Sequence, residues 1–183
     1  MRTLEYGKIK GLDGLVCVIK SKDKIEAVRM FLCGKMSPAF MIKHLKKIGV
    51  EFDSAVKKDL NYVAEHMKDV RRIKWEKLGL KKLTPFQKKV YKELFGSKAG
   101  DIYTYSELAK KASKPKAARA VGSLMSGNSL PLLIPCHRVT SKSGKESFFI
   151  PCFIDKPSCC KEKNISKCAE RIKNMLRSFE IGE

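Results

Sequence analysis

Acidic residues are scarce in this chain: 19 aspartates and glutamates stand against 39 lysines and arginines, so its 183 residues carry a formal charge of +20. That imbalance creates a positive field that attracts a polyanion, nucleic acid before a membrane surface. Long apolar runs are missing too. None approaches the roughly 20 residues of a spanning helix, and the first residues lack a signal-peptide pattern, so the expected location is the cytoplasm. The cysteines number seven, an odd count, and no Cys-x-x-Cys pair occurs among them. A secreted disulfide framework is therefore not expected, and a reducing compartment fits better. The 43% hydrophobic content suffices for ordinary cores.

Up to about residue 34 the chain reads as strands: Gly14 to Ile19 is a β-branched apolar run, Ser21 to Lys24 a turn, and Ile25 to Leu32 alternates, which predicts a hairpin. Met36 to Lys47 and Ala55 to Val70 carry apolar residues at helical spacing. Strands packed with helices predict an α/β (α+β) module. Lys68 to Lys82 is crowded with basic residues around Gly79 and reads as a linker with a solvated charged face. The predicted domains are residues 1–82 and 83–183.

Thr84-Pro85-Phe86-Gln87 spells a helix N-terminus, with a cap, a first-turn proline and a capping-box glutamine; Thr104-Tyr105-Ser106-Glu107 repeats the signature. A turn at Ser113 to Pro115 then predicts a third helix, Pro115 to Met125, and the last two helices together predict a helix-turn-helix. On the third helix Ala118, Val121 and Met125 share one face by spacing, whereas Lys116, Arg119, Ser123 and Ser126 share the other. Ala117, Ala120 and Gly122 flank that outer face and leave room for close approach to a groove.

The chemistry concentrates in Ile134-Pro135-Cys136-His137-Arg138-Val139. A free thiol with a pKa of about 8.5 is mostly protonated at neutral pH, so a nucleophilic cysteine needs a base or nearby cations. His137 and Arg138 are both candidates for that task. Pro135 stiffens the presentation of Cys136. Read alone, the hexapeptide also fits a buried cysteine beside a chance histidine.

Taken with Thr84 to Gln87, Tyr103 to Ala109, Lys114 to Gly122 and Asn128 to Pro131, the hexapeptide resembles the O6-alkylguanine-DNA alkyltransferases. The resemblance is dense from Thr84 to Val139, weak before it and interrupted after it. It implies a ribonuclease-H-like N-terminal domain and a helix-turn-helix that enters the minor groove of double-stranded DNA. By motif position, Arg119 would fill the gap left by a flipped nucleotide, with Lys116, Ala118, Gly122, Ser123 and Arg138 as further DNA contacts. Cys136 would displace guanine from the alkyl carbon of O6-alkylguanine, or thymine from O4-alkylthymine. Tyr105 would protonate the leaving base, His137 would act as base through water, Glu180 would orient it, and Asn128 would brace the segment. Tyr105, Pro131, Val139, Phe149 and Ile150 would line the pocket. A thioether does not readily reverse, so each monomer would act once, with no cofactor or metal.

The chain departs from that pattern after Val139. Ser143 to Pro151 replaces a glycine-rich loop, and an extra stretch follows that contains Cys152, Cys159 and Cys160, with Cys168 close behind. Those four cysteines either hold zinc or form a reducible loop, and their spacing matches no standard zinc site. Cys17, Cys33, His44 and His66 offer a second set whose spacing also fails, so ordinary burial is expected there. The altered loop leaves one alternative activity, a protein that binds alkylated bases without repairing them.

Overall fold

The computed structural model describes residues 1–12, 14–31, 37–80, 82–144 and 165–182. Its main sheet contains β1 (Arg2–Gly7), β2 (Leu15–Ser21), β3 (Lys24–Phe31) and β4 (Ser54–Lys57), in the order β3-β2-β1-β4. The predicted hairpin is β2 and β3. β1 runs antiparallel to β2 and parallel to β4. The apolar run of β2 is buried on both sides of the sheet. Leu15, Cys17 and Ile19 meet Met41 and Leu45 of α1 (Pro38–Lys47), whereas Val16 and Val18 turn toward a larger core on the opposite face.

The long helix expected from Ala55 to Val70 is instead β4 followed by α2 (Asn61–Lys68). Two local features divide it. Val56 pairs with Glu5 in register beside β1, and Asp59 accepts a 2.8 Å bond from the amide of Asn61, a turn that restarts the chain as a helix.

The larger core continues from Val28 and Met30 through α3 (Pro85–Phe95), α4 (Tyr105–Lys111) and α5 (Ala118–Ser126) to Leu133 and Cys136. Both predicted capping boxes form: Thr84 with Gln87 begins α3, and Thr104 with Glu107 begins α4. α5 starts at Ala118 rather than Pro115. Ser113 takes a positive φ of 63° and Ala117 closes a turn onto the Lys114 carbonyl, leaving Lys116 in the turn. Ala118, on one face with Val121 and Met125 by spacing, is only half-buried where those two are buried.

Two short pieces position the reactive segment. β5 (Tyr103–Thr104) pairs in parallel with β6 (Val139–Thr140), so Tyr105 enters α4 directly from a strand bonded to the end of the hexapeptide. α6 (Ile165–Ile181) then crosses behind it.

Candidate active site

Pro135 has φ −75° and ψ 68°, the inverse γ-turn conformation, and the Cys136 amide bonds the Ile134 carbonyl at 2.7 Å. The proline thus folds the chain sharply just before the thiol. Cys136 to Arg138 continue as a single 3₁₀ turn, not as the strand that alternation of side chains would suggest. Asn128 braces this arrangement from two sides: its Nδ2 donates to the Ile134 carbonyl at 2.8 Å, and its Oδ1 accepts from the Leu130 amide at 3.0 Å. Between them Leu132 is buried at a φ of 74°, an unfavourable conformation for a branched residue that persists only under tight packing.

His137 is fully buried, and its Nε2 lies 2.5 Å from Glu180 Oε1. Burial by itself pushes the Glu180 carboxyl up, but bonds from His137 and Arg138 outweigh it and hold the group below its usual value. An ionised carboxylate only accepts, so Nε2 carries the hydrogen and the lone pair sits on Nδ1. His137 Nδ1 is buried and meets no hydrogen-bond partner among the described residues. Burial also pushes the histidine down, against the opposing pull of Glu180, so the ring is neutral at physiological pH and able to take a proton.

A nucleophilic thiol, as expected of Cys136, would need such a base. Burial pushes Cys136 above its ordinary pKa, while a bond from the Asn128 side chain, the charge of Lys173 and the amides of Cys136 and His137 favour the thiolate. In the sequence Lys173 and Arg177 belong to the stretch Lys173 to Glu180 by which Glu180 is matched to the family, but no role of their own is expected for them. Both lie on α6 with Glu180, at spacings of four and three, and therefore share one face. Lys173 Nζ donates to the Val139 carbonyl at 3.2 Å, and Arg177 Nε to the His137 carbonyl at 2.9 Å. Their helical spacing from Glu180 was the available signal.

Arg138 corrects an expectation. It is 1% exposed, and its guanidinium bonds Glu180 through Nε and Nη2, the Ser97 carbonyl and hydroxyl through Nη1, and the Met67 carbonyl through Nη2. A side chain so committed faces the interior, away from any DNA, and its charge is neutralised by Glu180 rather than presented to the thiol.

The remaining candidates divide between surface and core. Tyr105, Ala118, Arg119 and Gly122 line a cleft of about 280 Å³, joined by Lys142. Tyr105 is half-buried there and Arg119 exposed, as are Lys116 and Ser123. Pro131 and Val139 are buried. Cys136 is fully buried and is not among the described residues that line this cleft. Phe149, Ile150, Cys33, Cys152, Cys159, Cys160 and the side chain of Cys168 lie outside the described residues. Among the described residues, no three His, Cys, Asp or Glu side chains converge as a metal site. Cys17 instead donates to the Arg29 carbonyl, His44 stacks on Phe40, and His66 meets Phe95 at a tilt, ring centroids 4.7 Å apart.

Residues 85–160 match the family model described as 6-O-methylguanine DNA methyltransferase, DNA binding domain. The methylated-DNA--protein-cysteine methyltransferase of Saccharomyces cerevisiae is 45% identical over 62 residues, 34% of this chain and 33% of that protein. The human protein of the same name is 57% identical over 47 residues, 26% of this chain and 23% of its own length. The chain therefore spans about a third or less of these relatives. The O6-methylguanine-DNA methyltransferase from the archaeon Pyrococcus kodakaraensis superposes with a TM-score of 0.60 at 23% identity, covering 98% of this chain and 99% of that one, which establishes a shared mixed α/β fold.

Proposed function

We propose that this chain, whose residues 85–160 carry the DNA-binding domain of the 6-O-methylguanine DNA methyltransferase family, repairs DNA by moving an alkyl group from O6 of guanine to Cys136. The observation that carries this reading is the reactive turn, in which a braced thiol precedes a neutral histidine held by a buried carboxylate.

In the proposed step His137 Nδ1 takes the thiol proton through a water, and Sγ attacks the alkyl carbon. The sulfur–carbon bond forms as the carbon–O6 bond breaks. Tyr105 protonates the departing base, help worth about 10²–10⁴ in rate. His137 then releases its proton to solvent and Tyr105 regains one from solvent, so in sum the alkyl group ends on sulfur and guanine gains one proton in place of the one the thiol lost. A base inside a duplex cannot reach a buried thiol, so the nucleotide must leave the stack. Arg119, exposed beside Tyr105 on the cleft, has the position and charge to hold the gap it leaves, with Lys116, Ala118, Gly122 and Ser123 on the same approach. Reaction consumes the protein.

We assign residues 1–82 to a ribonuclease-H-like unit, supported by the order β3-β2-β1-β4 with its parallel β1–β4 pair. Residues 83–183 form the DNA-binding unit, with α4 and α5 as a helix-turn-helix that enters the minor groove of double-stranded DNA. The same proposal has the protein act as a monomer. No helix among the described residues is long and apolar enough to cross a membrane, and a cytoplasmic site of action fits the free Cys136 thiol.

The test is a duplex bearing one O6-methylguanine, supplied in excess over protein. Guanine should be restored in an amount equal to the protein present, with no second turnover. Tight binding of the lesion with no guanine restored would replace this reading with a lesion-binding protein.

A further inference from the structure

We infer that Arg177 is a positioning residue for His137, fixing its main chain from α6 while Glu180, one turn on, fixes its ring; this rests on the alkyl-transfer reading above. Arg177 Nε donates to the His137 carbonyl at 2.9 Å, and Nη1 donates to the Asn174 side chain at 3.3 Å, which ties the guanidinium back to its own helix. The Glu180 carboxylate meets His137 Nε2 at 2.5 Å. His137 is thus held at two points, one on the backbone and one on the imidazole, by residues three apart on the same helix. Lys173 adds a bond to the Val139 carbonyl at 3.2 Å, so α6 steadies the chain beyond the thiol as Asn128 does before it.

A single 3₁₀ turn is too short to hold itself, because its last carbonyls find no partner within it. Arg177 supplies one such partner from outside. Without it the His137 backbone loses that restraint and Nδ1 shifts relative to the thiol; a misplacement of about 1 Å is enough to slow a well-aligned reaction by about 10². The charge of Arg177 acts as well. Burial is the largest influence on the His137 ring and favours its neutral form; Glu180 from α6 opposes it, and Arg138 from the same turn and Arg177 from α6 add to it. The other titratable groups at the turn are Cys136 itself and Lys173, whose charge favours the thiolate. Arg177 differs from Arg138 and Lys173 in being half-buried, so its replacement opens no cavity in the core.

Three variants separate the bond from the charge. Arg177→Gln places an amide nitrogen at the same point of the side chain as Nε and removes the charge, Arg177→Met puts a methyl group there, and Arg177→Lys keeps the charge with a donor one atom further out. Single-turnover methyl transfer is measured at saturating duplex across pH, DNA affinity separately, and the titration of the His137 ring by NMR of DNA-free protein labelled at histidine, the signal being the one absent from His137→Gln. Arg177→Met should transfer about tenfold more slowly at the pH plateau with unchanged Kd, and Arg177→Gln should recover most of the rate. In both, the acid limb of the rate profile and the His137 titration should move to higher pH, because a cation that opposed the imidazolium is gone; Arg177→Lys should leave both near their wild-type positions. A wild-type plateau in Arg177→Met, equal slowing in all three variants, a His137 titration unmoved in Arg177→Met and Arg177→Gln, weaker DNA binding with an unchanged saturated rate, or failure of all three to fold would overturn the positioning role. A folded wild-type protein that transfers no methyl group would overturn the alkyl-transfer reading instead, and the titration would still decide whether Arg177 governs the His137 ring.

Discussion

Arg138 joins α2, the end of α3 and α6 through one guanidinium, and its partner Glu180 is 3% exposed. Removing a member of a buried ion pair strands the other charge. Arg138→Ala should therefore lower stability by about 3–5 kcal/mol in urea unfolding. A role in DNA contact would instead lower affinity and leave stability intact. His66 sets a second expectation. Its ordinary pKa of 6.5 falls to about 4 in the fold, so between those values the unfolded chain binds a proton that the folded chain refuses. Stability should be constant in this respect above pH 6.5 and fall by about 3 kcal/mol as the pH drops toward 4, a slope absent from His66→Gln. The motif made Cys136, His137 and Asn128 legible as neighbours. It could not show which way Arg138 points, because a cation suits DNA or a buried carboxylate equally well on paper.

At the scale of elements, the capping boxes were the clearest signals, since the Thr84/Gln87 and Thr104/Glu107 pairs satisfy backbone groups within three residues of themselves. The second box also aims Tyr105. Thr104→Ala should cost about 1 kcal/mol in stability and slow methyl transfer more than Thr84→Ala, which caps a helix further from the cleft; thermal unfolding and single-turnover rates would separate the two effects. Less of β4 was legible. Its four residues are mostly exposed, and their place is set by pairing with β1 some fifty positions earlier, which no local pattern records. The face of α6 was half legible: Glu180 was matched by motif, but Lys173 and Arg177 gain their roles only where the helix crosses the reactive turn.

At the scale of the molecule, the charge of +20 attracts a polyanion whatever its sequence, which on the proposed function is DNA. Affinity for any duplex should fall steeply with salt, and replacing exposed lysines such as Lys116 should lessen that slope. Arg119→Ala should act differently, slowing transfer more from duplex than from single-stranded DNA, because an unpaired base costs little to extrude. Equal slowing on both substrates would count against a role in the stack. The core shared by the main sheet, α3 to α5 and Cys136 was not legible as one body, because composition marks the basic stretch at 68–82 and not the packing across it. The central claim is that Cys136 is the alkyl acceptor. It is tested most directly by incubating the protein with duplex carrying isotopically labelled O6-methylguanine, digesting it and locating the label by peptide mass. One labelled methyl group on the Cys136 peptide, and none in Cys136→Ala, is the predicted result; label on another residue, or none on folded wild-type protein with substrate in excess, would contradict it.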